Sequence, residues 1–204
     1  MKTALKSFIY SLFFILFCLT ANAQSYVDTL RIGGGVQGMA GNGNFGTGVN
    51  TAVNAQAAAA YKYGAGIFIH ADVPLIEHFN LSVSAGYNTF FTTSNIGTSQ
   101  QAITGTTSPN FETIPLKLGI KWFLGKKFYF QGEAGETLLA NKAALYAVYS
   151  NAFTWSPQMG VLIPLNKKRT YIDGGVGYEN FQSFYNDGAK NNFWAIHIAY
   201  VFNL

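Results

Sequence analysis

The stretch NFWAIHIAYVFNL, residues 192–204, decides the fold. Trp194, Ile196, Ile198, Tyr200, Phe202 and Leu204 fall on one parity. Ala195, His197, Ala199 and Asn203 fall on the other, with Val201 as the apolar exception. A period of two is the mark of a strand whose two faces meet different surroundings. The run exceeds the five or six residues or so of an ordinary globular strand. It suits a tilted strand crossing a bilayer, which takes about 9–11 residues. An apolar edge of this length invites aggregation unless it is covered. Pairing with the first strand covers it and closes a barrel.

Working outward, seven further segments alternate in the same way. They are Leu30 to Ala40, Ala60 to Val73, Phe79 to Phe91, Phe111 to Leu124, Phe128 to Leu138, Phe153 to Leu165, and Tyr171 to Phe181. The fourth sets Ile114, Leu116, Leu118, Ile120 and Trp122 against Lys117, Gly119 and Lys121. The seventh sets Ile172, Val176 and Tyr178 against Asp173 and Glu179. The connections fall into two classes. Pro74 to His78, Gly125 to Lys127 and Asn166 to Thr170 are short, whereas Gly41 to Ala59, Thr92 to Asn110, Leu139 to Ala152 and Gln182 to Asn191 are longer. Short turns on one rim and long loops on the other are the asymmetry of outer-membrane barrels. The expected fold is therefore all-β, an eight-stranded antiparallel up-and-down transmembrane β-barrel. An even strand number puts both termini in the periplasm and the long loops outside the cell. A short helix is expected around Leu138 to Val148. Pro115 and Pro157 fall inside strands, where each removes a ladder donor; Pro115 is read as a bulge and Pro157 as lying near a rim. Glu136 has the lipid parity, so a bulge or an early end of the fifth strand is expected there. Glu112 shares that parity at the outer end of the fourth.

The N-terminus reads as a secretory signal. Lys2 and Lys6 precede an apolar run, Phe8 to Leu19, and Ala21-Asn22-Ala23 gives a small-residue cleavage site. The expected division is a signal peptide at residues 1–23 and one barrel domain at 24–204. Cys18, the single cysteine, lies in the apolar run, so the mature chain forms no disulfide. Removing Lys2 and Lys6 from 13 basic residues leaves 11 against 9 acidic, too even a balance for nucleic-acid binding. Charged residues make up 11% of the chain and aromatics 16%. An ordinary soluble domain carries about 25% charge. Poor charge and abundant aromatics suit a wall turned towards lipid.

Alternation alone also fits a secreted, lipocalin-like barrel with its apolar face inward. The polar face argues against it, being mostly Gly, Ser, Asn and Thr, too poor in charge for a surface in water. Aromatics also gather at two levels: Trp122, Phe128, Tyr171 and Phe202 at one, and Tyr61, Tyr63, Tyr87, Phe153, Trp155, Tyr178 and Trp194 at the other. With the apolar parity outward, Arg31, Lys62, Lys117 and Lys121 share the lumen with Asp72, Glu133, Asp173 and Glu179. An eight-stranded interior is just filled by side chains, and buried charges there must pair. These eight are read as a structural ion-pair network, with a proton or ion pathway as the competing reading.

Other candidates are weaker. His70, Asp72 and His197 share the lumen parity, and Ser82 or Ser84 would be the nucleophile of a lipid-modifying site; no nucleophile motif surrounds either serine, and lumen hydrogen bonding is the plainer role. His78 sits in a turn. No spacing suggests a metal site, and no cofactor is expected. Gly33-Gly34-Gly35 precedes no helix and so is no phosphate loop. Lys126-Lys127 and Lys167-Lys168-Arg169 crowd two periplasmic turns as a solvated rim, within reach of lipid phosphates.

Phe111-Glu112-Thr113-Ile114-Pro115-Leu116, Gly119-Ile120-Lys121-Trp122, Phe128-Tyr129-Phe130 with Gly135, and Gly174-Gly175-Val176-Gly177-Tyr178 carry a resemblance. Together they resemble the PorT-like outer-membrane β-barrel family, relatives of the small OmpX/OmpA-type barrels. The resemblance extends over Leu30 to Leu204 and implies an outer-membrane location, with Pro115 as a family feature and no catalytic residues. The chain ends in Leu204 where many such barrels end in Phe. The expected function is a non-enzymatic integral barrel with a plugged, charged interior and surface loops for interaction or envelope integrity. A conduit for small solutes or hydrophobic compounds and a lipid-modifying enzyme are the alternatives. Expected partners are outer-membrane lipid and lipopolysaccharide, the barrel assembly machinery during insertion, and a surface partner for the long loops.

Overall fold

Strands form wherever the sequence alternates. The computed structural model describes residues 29–43, 45, 61–92, 110–125, 127–145, 147–166, 169–184 and 190–204, except the side chains of Asn166 and Lys190. The expected signal peptide, 1–23, and the basic turn residues Lys126, Lys167 and Lys168 lie outside them. The strands are β1 (Arg31–Asn42), β2 (Tyr61–Ile76), β3 (Phe79–Thr92), β4 (Phe111–Leu124), β5 (Phe128–Leu139), β6 (Asn151–Asn166), β7 (Thr170–Gln182) and β8 (Lys190–Asn203). Each pairs antiparallel with its chain neighbour, and β1 pairs with β8, closing the barrel. Val36 in β1 faces Ile67 in β2 on one side and Ile198 in β8 on the other. The final segment thus covers the edge of the first, as its apolar alternation requires.

The two faces of this single wall differ sharply. Ile196 is 68% exposed on the outside, while its neighbour in the chain, Ala195, is half-buried and Val201 is fully buried. Ile67, Ile69, Leu116, Ile120, Met159 and Ile198 are likewise exposed, whereas Asp72, Ser82, Lys121 and Asp173 are buried. A continuous apolar belt of this kind belongs in hydrocarbon, and a closed barrel satisfies its own backbone there. The barrel therefore spans a membrane by strands.

Departures from the expected pattern have identifiable causes. The helix around Leu138 to Val148 is a single turn, α1 (Lys142–Leu145). Strand β2 runs past Val73 through Pro74 to Ile76, with a register shift between Pro74 and Ile76 where the proline cannot donate. Pro115 makes no bulge. The β3–β4 ladder stops at Ala85↔Leu116 and resumes in the same register at Asn88↔Thr113. Pro157 lies well inside β6, where the β6–β7 ladder likewise lapses between Trp155↔Asn180 and Gln158↔Gly177. Glu136 causes neither a bulge nor an early stop. It stays in register opposite Leu116 and Phe153, exposed on the outer face. The β2–β3 turn places His78 at φ 68°, and the β4–β5 turn places Gly125 at φ 74°.

The seam between β1 and β8 is closely packed. A β-carbon on Gly35 would lie 2.6 Å from that of Ala199 and against the Ile198 carbonyl oxygen, while one on Gly38 meets nothing within 4 Å. We expect Gly35→Val to destabilise closure by about 1–3 kcal/mol, the usual cost of overpacking, and Gly38→Val to leave it intact. Loss of the compact, heat-modifiable band on unboiled gels for the first variant alone checks this.

Candidate functional site

The site is the barrel interior, assembled from one face of every strand. Lys117 and Lys121 are four apart on β4 and so project inward together, as Asp173 and Glu179 do from β7. Asp72 comes from β2 and Glu133 from β5. Lys121 Nζ donates to Asp72 Oδ2 at 2.7 Å and lies 3.5 Å from Asp173 Oδ2. Lys117 Nζ donates to Glu179 Oε2 at 2.6 Å and lies 3.4 Å from Glu133 Oε2. Each lysine thus serves two carboxylates from different strands, β2 and β7 for Lys121, β5 and β7 for Lys117. Gln158 Nε2 supports Glu133 with a 2.8 Å hydrogen bond.

Tyr129 joins this layer from β5. Its hydroxyl donates to Asp173 Oδ1 at 2.7 Å and lies 3.2 Å from His197 Nε2, and Lys121 Nζ sits 4.6 Å from its ring centroid. Glycines make room for the rings. A β-carbon on Gly33 would fall 2.6 Å from His70 Cε1, and one on Gly175 would fall 2.7 Å from His197 Cε1. Tyr129 lies against Gly160 in the same way.

Two apolar layers bound the ions. Towards the long loops, Phe90, Phe111, Phe181 and Phe193 turn inward with Met39 and Tyr61, and Phe45, Leu145 and Phe184 from the connections pack onto them. Phe45 stands 5.0 Å from Phe90 and 5.7 Å from Phe181 between ring centroids. Towards the short turns, Phe123, Leu162, Ala199 and Val201 pack with Tyr129, flanked by Phe68 and Tyr171. Between the layers a cavity of about 50 Å³ is lined by His70, Ser84, Lys117, Lys121, Glu133 and His197 among others. A water needs roughly 10–15 Å³ by this measure, so a few fit. Ser84 Oγ, His70 Nε2 and Glu133 Oε1 face inward without a hydrogen bond from the protein.

Seven of the eight expected lumen charges lie inside. Lys62 does not. Tyr61 pairs with Thr92 and Tyr63 with Phe91, which makes Lys62 the extra residue of a β-bulge. It is exposed, with Nζ 5.4 Å from the Tyr63 ring centroid. The bulge also turns Tyr61 inward, out of the expected aromatic girdle. Tyr171 leaves the girdle too: it shares the parity of Asp173 and flanks the Arg31 guanidinium, which lies 5.1 Å from the Phe123 centroid and 5.8 Å from that of Tyr171. The described interior therefore holds three basic residues against four carboxylates, where alternation gave four against four.

His70 and Ser84 are cross-strand partners, as are Asp72 and Ser82. His70 Nε2 is 3.9 Å from Asp72 Oδ2, but Ser84 is not hydrogen-bonded to His70, and Ser82 accepts from Gln131 at 3.2 Å. No activated nucleophile results. No group of three or more His, Cys, Asp or Glu among the described residues is placed to hold a metal ion. His78 is half exposed beside Glu77. Tyr129 and the inward phenylalanines went unrecognised in the sequence. Their signal was parity: Tyr129 matches Gln131 and Glu133, Phe111 matches Lys117, Phe181 matches Glu179, and Phe193 matches His197.

No protein-family model and no curated protein matches this sequence. Solved structures match it by fold. Neisserial surface protein A is 7% identical with a TM-score of 0.52, over 86% of this chain and 97% of that one. OprG, an outer membrane protein from Pseudomonas aeruginosa, is 12% identical with a TM-score of 0.51, over 89% and 99%. The Yersinia pestis outer membrane protein Ail, in a phospholipid bilayer nanodisc, is 11% identical with a TM-score of 0.51, over 86% and 100%. At such identities the shared property is the closed barrel of small outer-membrane proteins.

Replacing Lys121 by Met leaves Asp72 and Asp173 buried without their shared cation. We expect a loss of about 3–5 kcal/mol, as for breaking any buried pair. Lys62→Met, on the outside, should stay within about 0.5 kcal/mol. Urea unfolding of refolded barrels in detergent, followed by tryptophan fluorescence, measures both.

Proposed function

We propose that this protein is a non-enzymatic integral barrel of the bacterial outer membrane, sealed inside, whose long loops stand at the cell surface for interaction or envelope integrity. The observation that carries the reading is the aromatic layer at the loop end. Phe45, Leu145 and Phe184 leave the connections and pack on Phe90, Phe111 and Phe181 inside the rim. Beneath it the ion pairs cross the middle of the lumen, and the cavity of about 50 Å³ beside them is far smaller than a solute path needs. The exposed apolar belt and the fold likeness to small outer-membrane barrels support the placement. The likeness of Phe111 to Gly135 to PorT-like barrels points the same way. In this reading the termini and the short basic turns lie in the periplasm. The outer wall contacts lipid and lipopolysaccharide, the assembly machinery inserts the chain, and a surface partner meets the loops.

Two measurements test it. Reconstituted in a planar bilayer, the purified barrel should pass no steady current, and a reproducible ohmic step would favour the conduit. Protease added to intact cells should cut within 93–109, between β3 and β4, and spare the turns at Gly125 and Arg169. Cleavage at the turns with intact loops would reverse the orientation.

A further inference from the structure

We infer that the lumen cavity is a binding site for a small cluster of ordered water molecules, which completes the hydrogen bonding of the interior and of the wall beside it. The side chains aimed into the cavity point to this first. His70 Nε2, Ser84 Oγ and Glu133 Oε1 are closed off from the outside and have no hydrogen-bond partner among the described residues. His70 is 7% exposed and Glu133 5%. Buried polar atoms are costly when left unpaired, and bound water is the usual partner where the protein supplies none.

The wall has a gap at the same place. Along β4 the backbone groups of successive residues turn alternately to β5 and to β3. Glu112 O accepts from Ala140 N on the β5 side, and Phe123 N donates to His78 O on the β3 side. Pro115, an even number of residues from Phe123, therefore faces β3. The register on either side, Ala85↔Leu116 and Asn88↔Thr113, sets it opposite Gly86. Proline has no N–H for the Gly86 carbonyl, and hydrocarbon outside offers no substitute. Gly86 and Pro115 both line the cavity, and glycine has no side chain to screen that carbonyl from within.

The lining also selects for water. Lys117 and Lys121 share it with Glu133 and Asp173, so an ion of either sign meets a like charge there. Water donates and accepts, and suits all four. Apolar cavities stay dry, whereas one this polar gives each water its two to four or so partners. At roughly 10–15 Å³ each, the cavity of about 50 Å³ takes about three or four molecules.

The inference is independent of what the loops meet. Water-edited NMR of the refolded wild-type barrel in lipid tests it. Magnetisation should pass from slowly exchanging water to Ser84 and Gly86, and not to Phe193 or Val201 in the two apolar layers. Ser84→Val removes one anchor and fills part of the cavity, so the transfer to Gly86 should be largely lost. Ser84→Ala removes the hydroxyl without filling the space, and the transfer should persist. Pro115→Ala supplies the missing N–H. The Gly86 carbonyl ¹³C shift should then stay where it is, because one donor replaces another. A downfield move on that substitution means the carbonyl was bare in the wild type and overturns the proposal. Transfer to Ser84 and Gly86 no stronger than to Phe193 also overturns it. So does transfer that requires one particular alkali cation or halide, which would assign the cavity to an ion.

Discussion

A one-layer wall with hydrocarbon on its outside leaves polar side chains a single refuge, and the rest of the structure follows from that constraint. Lys121 shows how it is met. Its side chain is 2% exposed, and its ammonium reaches carboxylates on β2 and β7, two strands that are not neighbours in the ring. The lumen of an eight-stranded barrel is narrow enough for such a reach. A wider barrel would need water or a plug domain to do what two lysines do here.

The same narrowness explains the glycines on inward positions. His70, His197 and Tyr129 each lie against the glycine paired with them on the neighbouring strand, and a methyl group at Gly33, Gly175 or Gly160 would displace the ring. Large inward rings and absent inward side chains are two halves of one packing solution. It keeps a filled interior without splaying the strands, and it holds the tyrosine hydroxyl within reach of Asp173.

Much of this was legible in the sequence. Strand β4 runs from Phe111 to Leu124 as the alternation predicts, and the two classes of connection separate as expected. Parity placed Asp72, Lys117, Lys121, Glu133, Asp173 and Glu179 inside because a regular ladder preserves it. It failed at Lys62, where an inserted residue flips everything beyond it to the other face. For Tyr171 and the inward phenylalanines parity was right and residue type misled. Towards either end the lumen face turns apolar, so residue type and parity no longer agree. The pairing partners, Lys117 with Glu179 and Lys121 with Asp72, depend on the circumference of the closed ring, which no single strand encodes.

The phenylalanine layer has a mechanical side. Phe90 on β3 touches Phe193 on β8, and Phe111 on β4 touches Phe181 on β7, at 4.9 and 5.9 Å between centroids. These strands are not neighbours in the ring, so the contacts run across it like spokes in a hub. A bare hoop of eight strands flexes easily into an ellipse under the lateral pressure of lipid. Spokes of interlocked rings resist that flattening, and the mouth keeps a round outline on which the connecting segments can rest.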